Sequence, residues 1–155
     1  MFIINKQRIM ESKRIKIHEV APEAYKAMLK LEAYLHTTTL SPIEKELIKI
    51  RASQLNGCAF CLNMHTRDAR KLGETEQRIY LLNVWHETEL YSETERIILT
   101  LTEEITLISE GGVSEETYKK AEELLGKEKL AEVIMAIVAI NAWNRIGVST
   151  LLPLD

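Results

Sequence analysis

Apolar residues recur three and four positions apart through most of this chain, a helical period. Ala21-Pro22-Glu23 opens a helix reaching about Tyr34, with Ala24, Met28, Leu31 and Leu35 on one stripe, and Thr37-Thr38-Thr39 ends it. Ser41-Pro42-Ile43-Glu44 starts a second helix: Ser41 can cap it, Pro42 suits its first position, and Glu44 completes a capping box. It runs to about Leu55, where Asn56-Gly57 tolerates the left-handed backbone that stops a helix. A third helix spans about Cys58 to Leu72, with Gly73 as its stop, and a fourth covers roughly Thr75 to His86. Ser92-Glu93-Thr94-Glu95 is a second capping box, opening a helix to about Ser109 with Ile97, Ile98, Leu101, Ile105 and Ile108 on one face.

Gly111-Gly112 breaks the chain, and Ser114 caps a short polar helix ending at Gly126. The last helix, about Lys127 to Ile146, is apolar almost all round at its middle, as for a helix buried in a core or a subunit contact. Strand-like alternation is confined to residues 14–20. The pattern predicts an all-α, single-domain bundle of six or seven helices over residues 21–155, preceded by an N-terminal extension or arm, residues 1–20. Met10 could itself be an initiator, and residues 1–9 carry no periodic pattern, as expected of a loosely packed or disordered extension.

Composition narrows the function. The chain has 155 residues, 46% hydrophobic and 28% charged, enough for one folded core. A formal charge of −3 gives no electrostatic ground for nucleic acid or an anionic membrane as partner. The longest apolar run, Val133 to Ile140, is far short of the ~20 residues a bilayer span needs, and Phe2-Ile3-Ile4 is too short for a signal-peptide core. A reducing cytoplasm is the expected location. The two cysteines, Cys58 and Cys61, are too few and too close to staple a secreted scaffold, so a chemical use is expected.

On an ideal helix Cys58, Cys61 and His65 fall within about 60° of one another, so successive turns present two thiols and an imidazole. The unpaired N–H groups at the helix start favour a thiolate, the reactive form, and the imidazole can take or return its proton. Such a pair can cycle through a disulfide. Two other readings stay open: inert small core residues, and a zinc site of Cys58, Cys61 and His65 with a fourth ligand from His18, His36 or His86. Glu46 borders the apolar face beside Ile43 and Ile50, one row from Lys49, as a solvated edge carboxylate or as a proton relay beside the dithiol. Arg51 is expected to be a paired structural cation, with orientation of Glu46 or a substrate as its other use. Asp68 is expected to be solvated or a partner of His65. Trp85 and Phe60 are core aromatics or pocket walls.

These residues resemble the AhpD-like alkylhydroperoxidases within the wider carboxymuconolactone decarboxylase-like superfamily. The likeness rests on Glu46, Cys58, Cys61 and His65 at the family's spacing, on Leu55-Asn56-Gly57-Cys58 and Cys61-Leu62-Asn63-Met64-His65-Thr66, and on Trp85 and Asn141-Ala142-Trp143-Asn144-Arg145. It covers roughly residues 12–152. The resemblance implies an all-α subunit that assembles into trimers or hexamers, and an antioxidant peroxidase cycle with no cofactor, metal or haem. It implies that Cys61 attacks the hydroperoxide and becomes a sulfenic acid, and that Cys58 resolves it to a disulfide. Glu46 and His65 would relay the protons. A dithiol reductant protein or a lipoyl-type donor would restore the thiols.

The helix-start argument instead favours Cys58 as the more acidic thiol; the resemblance favours Cys61, one turn from His65, because a specific base outweighs a partial dipole charge once water is excluded. Some members carry a second histidine just before the C-terminal Cys, where this chain has Phe60, which would shorten the relay or weaken the activity. The competing functions are a decarboxylase or lactone-processing enzyme, which does not need the cysteine pair, and a non-catalytic redox sensor or zinc-stabilised oligomer.

Overall fold

The structure is a computed structural model that describes residues 14–154. Its helices are α1 (Ile17–Val20), α2 (Pro22–Leu35), α3 (Pro42–Asn56), α4 (Ala59–Lys71), α5 (Glu76–Leu81), α6 (Glu93–Thr106) and α7 (Glu115–Thr150). Short 3₁₀ segments follow α5 (Leu82–Glu87) and α6 (Ile108–Glu110). No strand occurs among the described residues. The expectation for residues 1–9 lies outside them.

Local signals set most boundaries. Both expected capping boxes form: Ser41 and Ser92 accept the Glu44 and Glu95 amides, and each glutamate reaches back to the cap's own N–H. Gly57 closes α3 with φ +65°, a left-handed position that glycine takes without the penalty of a Cβ.

Three boundaries differ from expectation. Residues 17–20 form a helical turn rather than an extended segment, because the Val20 and Ala21 amides bond to Lys16 and Ile17 carbonyls and no strand stands beside them. The expected fourth helix tightens into 3₁₀ turns at Leu82, which carry Trp85 into the core. The last helix runs four residues past Ile146, to Thr150, while the expected break at Gly126 is present as a kink inside α7 (φ 73°, ψ 164°).

Helix α3 is the axis of the molecule. Its Ile48 and Ala52 join a core with Leu35, Ile98, Leu101, Val133, Ile137 and Ile140, from α2, α6 and α7. Its Leu47 and Ile50 join a second core with Ala69, Leu82, Trp85 and Leu99. Burying each leucine, isoleucine or valine among them contributes about 1.5–3 kcal/mol. With apolar partners on both sides, α3 also carries Glu44, Glu46, Lys49 and Ser53 out of solvent. By length and composition alone α7 holds a stretch apolar enough to cross a bilayer, but half of that stretch is buried inside this protein, as in a core helix.

Candidate functional site

The site begins at the turn from α3 into α4. After left-handed Gly57, Cys58 takes extended backbone (φ −87°, ψ 94°) and becomes the N-cap of α4. Its Sγ accepts the Cys61 N–H at 3.3 Å, the place usually filled by a serine or aspartate oxygen. The two cysteines are joined as a disulfide with Cα atoms 5.4 Å apart, and both are buried, 2% and 3% exposed.

One turn on, His65 faces back toward α3. Its Nδ1 lies 2.9 Å from Glu46 Oε2, and the two are 7% and 9% exposed. Glu46 is therefore a buried partner and not a solvated edge carboxylate. A carboxylate at Nδ1 fixes the proton there and leaves Nε2 as the ring's exchangeable position. Asp68 does not share this role: it pairs with Lys71 at 2.7 Å, and the Lys71 hydrogen bond and charge hold it below the usual carboxylate range against mild burial.

Helix α7 backs the turn. The Asn56 side-chain amide donates to Asn141 Oδ1 (3.0 Å) and Asn144 Oδ1 (2.9 Å). Asn144 in turn donates to Ser53 Oγ (3.0 Å), and Asn141 to Thr106 Oγ1 (3.0 Å). One turn beyond Asn144, Gly147 presents bare backbone to the sulfurs: a Cβ there would lie 3.0 Å from Cys58 Sγ and 3.5 Å from Cys61 Sγ.

In front of the disulfide lies a cavity of about 380 Å³. Cys61 and His65 line it, with Tyr25, Leu29, Phe60, Met64 and Trp143 among its apolar walls. Phe60 is thus a wall residue. Trp85 is not: it packs in the second core and donates its indole N–H to Glu103 at 2.8 Å. Arg51 also bonds Glu103, at 2.8 Å, so it braces the Trp85 side of α3 and does not orient Glu46.

The histidines weighed as zinc ligands are scattered. His18 lines the cavity with a largely exposed side chain, His36 caps the end of α2, and His86 stacks on Trp85. Among the described residues no three His, Cys, Asp or Glu side chains form a group suited to a metal ion.

Three contributors escaped the sequence reading: Gly147, the Lys49–Glu32 ion pair on the cavity wall, and Trp143 as a wall residue and hydrogen-bond donor to Glu32. A usable signal existed for one of them, since Lys49 stands three residues after Glu46 and shares its side of α3.

Residues 22–104 match the carboxymuconolactone decarboxylase family. The chain is 46% identical over 138 residues to the uncharacterized protein YdfG of Bacillus subtilis, covering 89% of this chain and 94% of that protein. Its fold is similar to that of a protein of unknown function from Agrobacterium tumefaciens, linked by name to antioxidant defence protein AhpD. The TM-score is 0.88, at 38% identity over 92% of this chain and 97% of the other. It is also similar to the debrominase Bmp8, with a TM-score of 0.77 at 16% identity over 86% and 72% of the two chains, a likeness of fold.

Proposed function

The chain belongs to the carboxymuconolactone decarboxylase family, with an AhpD-like fold, and from that premise we propose that it is a thiol-dependent peroxidase that reduces organic hydroperoxides. One observation carries the reading. A dithiol able to close into a disulfide meets an apolar cavity at the wall that also holds a histidine tied to a buried carboxylate.

In the reduced protein, His65, held by Glu46, takes the Cys61 proton and leaves a thiolate at the cavity. The sulfur attacks the terminal oxygen of the hydroperoxide. An S–O bond forms, the O–O bond breaks, and its electron pair leaves on the alkoxide. His65 returns the proton, so the products are an alcohol and Cys61 sulfenic acid. Cys58 then attacks Cys61 sulfur; a disulfide forms and the hydroxyl leaves as water, taking the Cys58 proton. A dithiol of a reductant protein or lipoyl-type group returns two electrons and two protons, and is itself oxidised to a disulfide.

Cys61 is assigned the attack because it lines the cavity with His65, while Cys58 sulfur lies against the Cys61 amide and Gly147. The amide and the helix start favour negative charge on Cys58 too. That charge serves the resolving step, in which Cys58 is the nucleophile.

The test is consumption of cumene hydroperoxide with excess dihydrolipoamide. Wild type is expected to turn over, Cys61→Ser to lose all turnover, and Cys58→Ser to accumulate a dimedone-reactive sulfenic acid on Cys61. Label on Cys58, or turnover that survives Cys61→Ser, would overturn the assignment. Wild type that consumes no hydroperoxide would remove the activity.

A further inference from the structure

The cavity wall carries a charged pair that the proton relay does not use. Lys49 is 8% exposed, and its Nζ is hydrogen-bonded to Glu32 Oε1 on α2. Glu32's other oxygen accepts the Trp143 indole N–H at 3.3 Å. Lys49, Glu32 and Trp143 line the same cavity as Cys61 and His65.

Stability alone gives no reason to keep such a pair. Replacing a buried ion pair by apolar residues of similar volume is often neutral or stabilising by ~1–4 kcal/mol. The two partners also differ in what they have left to offer. The Glu32 oxygens, which accept from Lys49 and Trp143, can only accept, whereas an ammonium carries three N–H donors and Glu32 takes one of them. Burial by itself would raise the Glu32 pKa. The Lys49 hydrogen bond and charge and the Trp143 N–H override it and keep the carboxyl below its ordinary range. Glu32 thereby holds a cation in place on an otherwise largely apolar wall.

We propose that Lys49 is a further catalytic residue, whose ammonium donates a hydrogen bond to the oxygen that leaves when the O–O bond of the substrate breaks. This rests on the peroxidase reading. As Cys61 sulfur bonds to the terminal oxygen, the electron pair of the broken bond collects on the other oxygen. Walls such as Leu29, Phe60 and Met64 offer this charge no hydrogen bond. A donor already fixed there gains strength from the low local dielectric and needs no reorganisation. Lys49 keeps its proton throughout; the proton that completes the alcohol comes from His65.

Two oxidants that differ in leaving group test this. tert-Butyl hydroperoxide expels a basic alkoxide that needs stabilising, whereas peracetic acid expels acetate, which spreads its own charge. The variant Glu32→Gln with Lys49→Met removes both charges together, so no buried ion is left alone. Its kcat/KM is expected to fall about tenfold or more with tert-butyl hydroperoxide and to change less than about twofold with peracetic acid. Lys49→Arg, which keeps a cationic donor, is expected to retain most of the rate with both. Glu32→Gln with Lys49→Gln gives the same comparison through a polar pair, should the methionine variant fail to fold.

Equal losses with both oxidants, or no loss with either, would overturn the role of Lys49 and leave the peroxidase intact. A wild type that consumes neither oxidant would overturn the peroxidase reading and the role of Lys49 together.

Discussion

Gly147 of α7 lies so close to Cys58 that a single added methyl would stand 3.0 Å from the cysteine sulfur. Its helical backbone makes no use of glycine's conformational freedom, and a glycine inside a helix costs roughly 0.5–1 kcal/mol relative to alanine. The gap is filled by the sulfur instead. Gly147→Ala therefore sets a gain in helix propensity against overpacking worth ~1–3 kcal/mol. Expected are a Cys61 sulfenic acid that persists about tenfold longer, because Cys58 is displaced, and little change in its formation rate. Rapid mixing with hydroperoxide, with dimedone added at intervals, separates the two steps. Equal lifetimes in variant and wild type would show that Cys58 does not depend on this gap.

Glu46→Gln keeps the volume and a hydrogen-bonding group beside His65 Nδ1, so the fold should persist. Loss of a positioned acid–base group should lower the peroxidase rate about 10²-fold or more. A rate equal to wild type under saturating dithiol would make Glu46 a structural residue.

Asn144 is buried and linked to both Asn56 and Ser53. In Asn144→Ala the Asn56 amide keeps one of its two partners and Ser53 Oγ loses its donor. A cost of about 1–3 kcal/mol follows from breaking such bonds in a buried setting. For a chain of this size that is a fall in Tm of roughly 2–12 °C, measurable by calorimetry. No change in Tm would mean that water replaces the bonds.

Acid should destabilise the fold through two carboxylates. Glu32 and Glu44 both sit below their ordinary pKa although burial opposes it, Glu32 through Lys49 and Trp143, Glu44 through Lys129 and the Ser41 N–H. In the unfolded chain they take up protons around pH ~4.3. The native protein resists until lower pH, so the unfolded state binds more protons in that window and is favoured there. Urea midpoints should hold from neutrality to about pH 5.5 and then fall, less steeply in Glu44→Gln. At the alkaline end, burial pushes Tyr91 up to about 12. The native state keeps that proton after the unfolded chain loses it near pH ~10, so stability falls between the two values, and Tyr91→Phe should remove that step.

Self-association through α7 is expected, since Val138 and Val148 are exposed on a helix otherwise rich in buried apolar residues. Sedimentation should find an oligomer, a trimer or hexamer by the family resemblance. A monomer at all concentrations would reject it.

What the sequence determined by itself is local. The capping boxes at Ser41 and Ser92, the left-handed stop at Gly57 and the break at Gly126 each depend on a few neighbouring residues, so they were legible along with the all-helical class. The shared face of Cys61 and His65 was legible for the same reason, because helical spacing fixes azimuth within α4, whereas Cys58 stands before that helix as its extended N-cap. Tertiary structure alone decided what lies opposite. Whether Glu46 met water or His65 depended on how α3 packs against α4 across Gly57, and periodicity does not encode that angle. Lys49 found Glu32, and Gly147 found Cys58, across 17 and 89 positions of chain respectively. Such pairings are set by the summed burial of α3 between two cores, in which no single residue carries the signal.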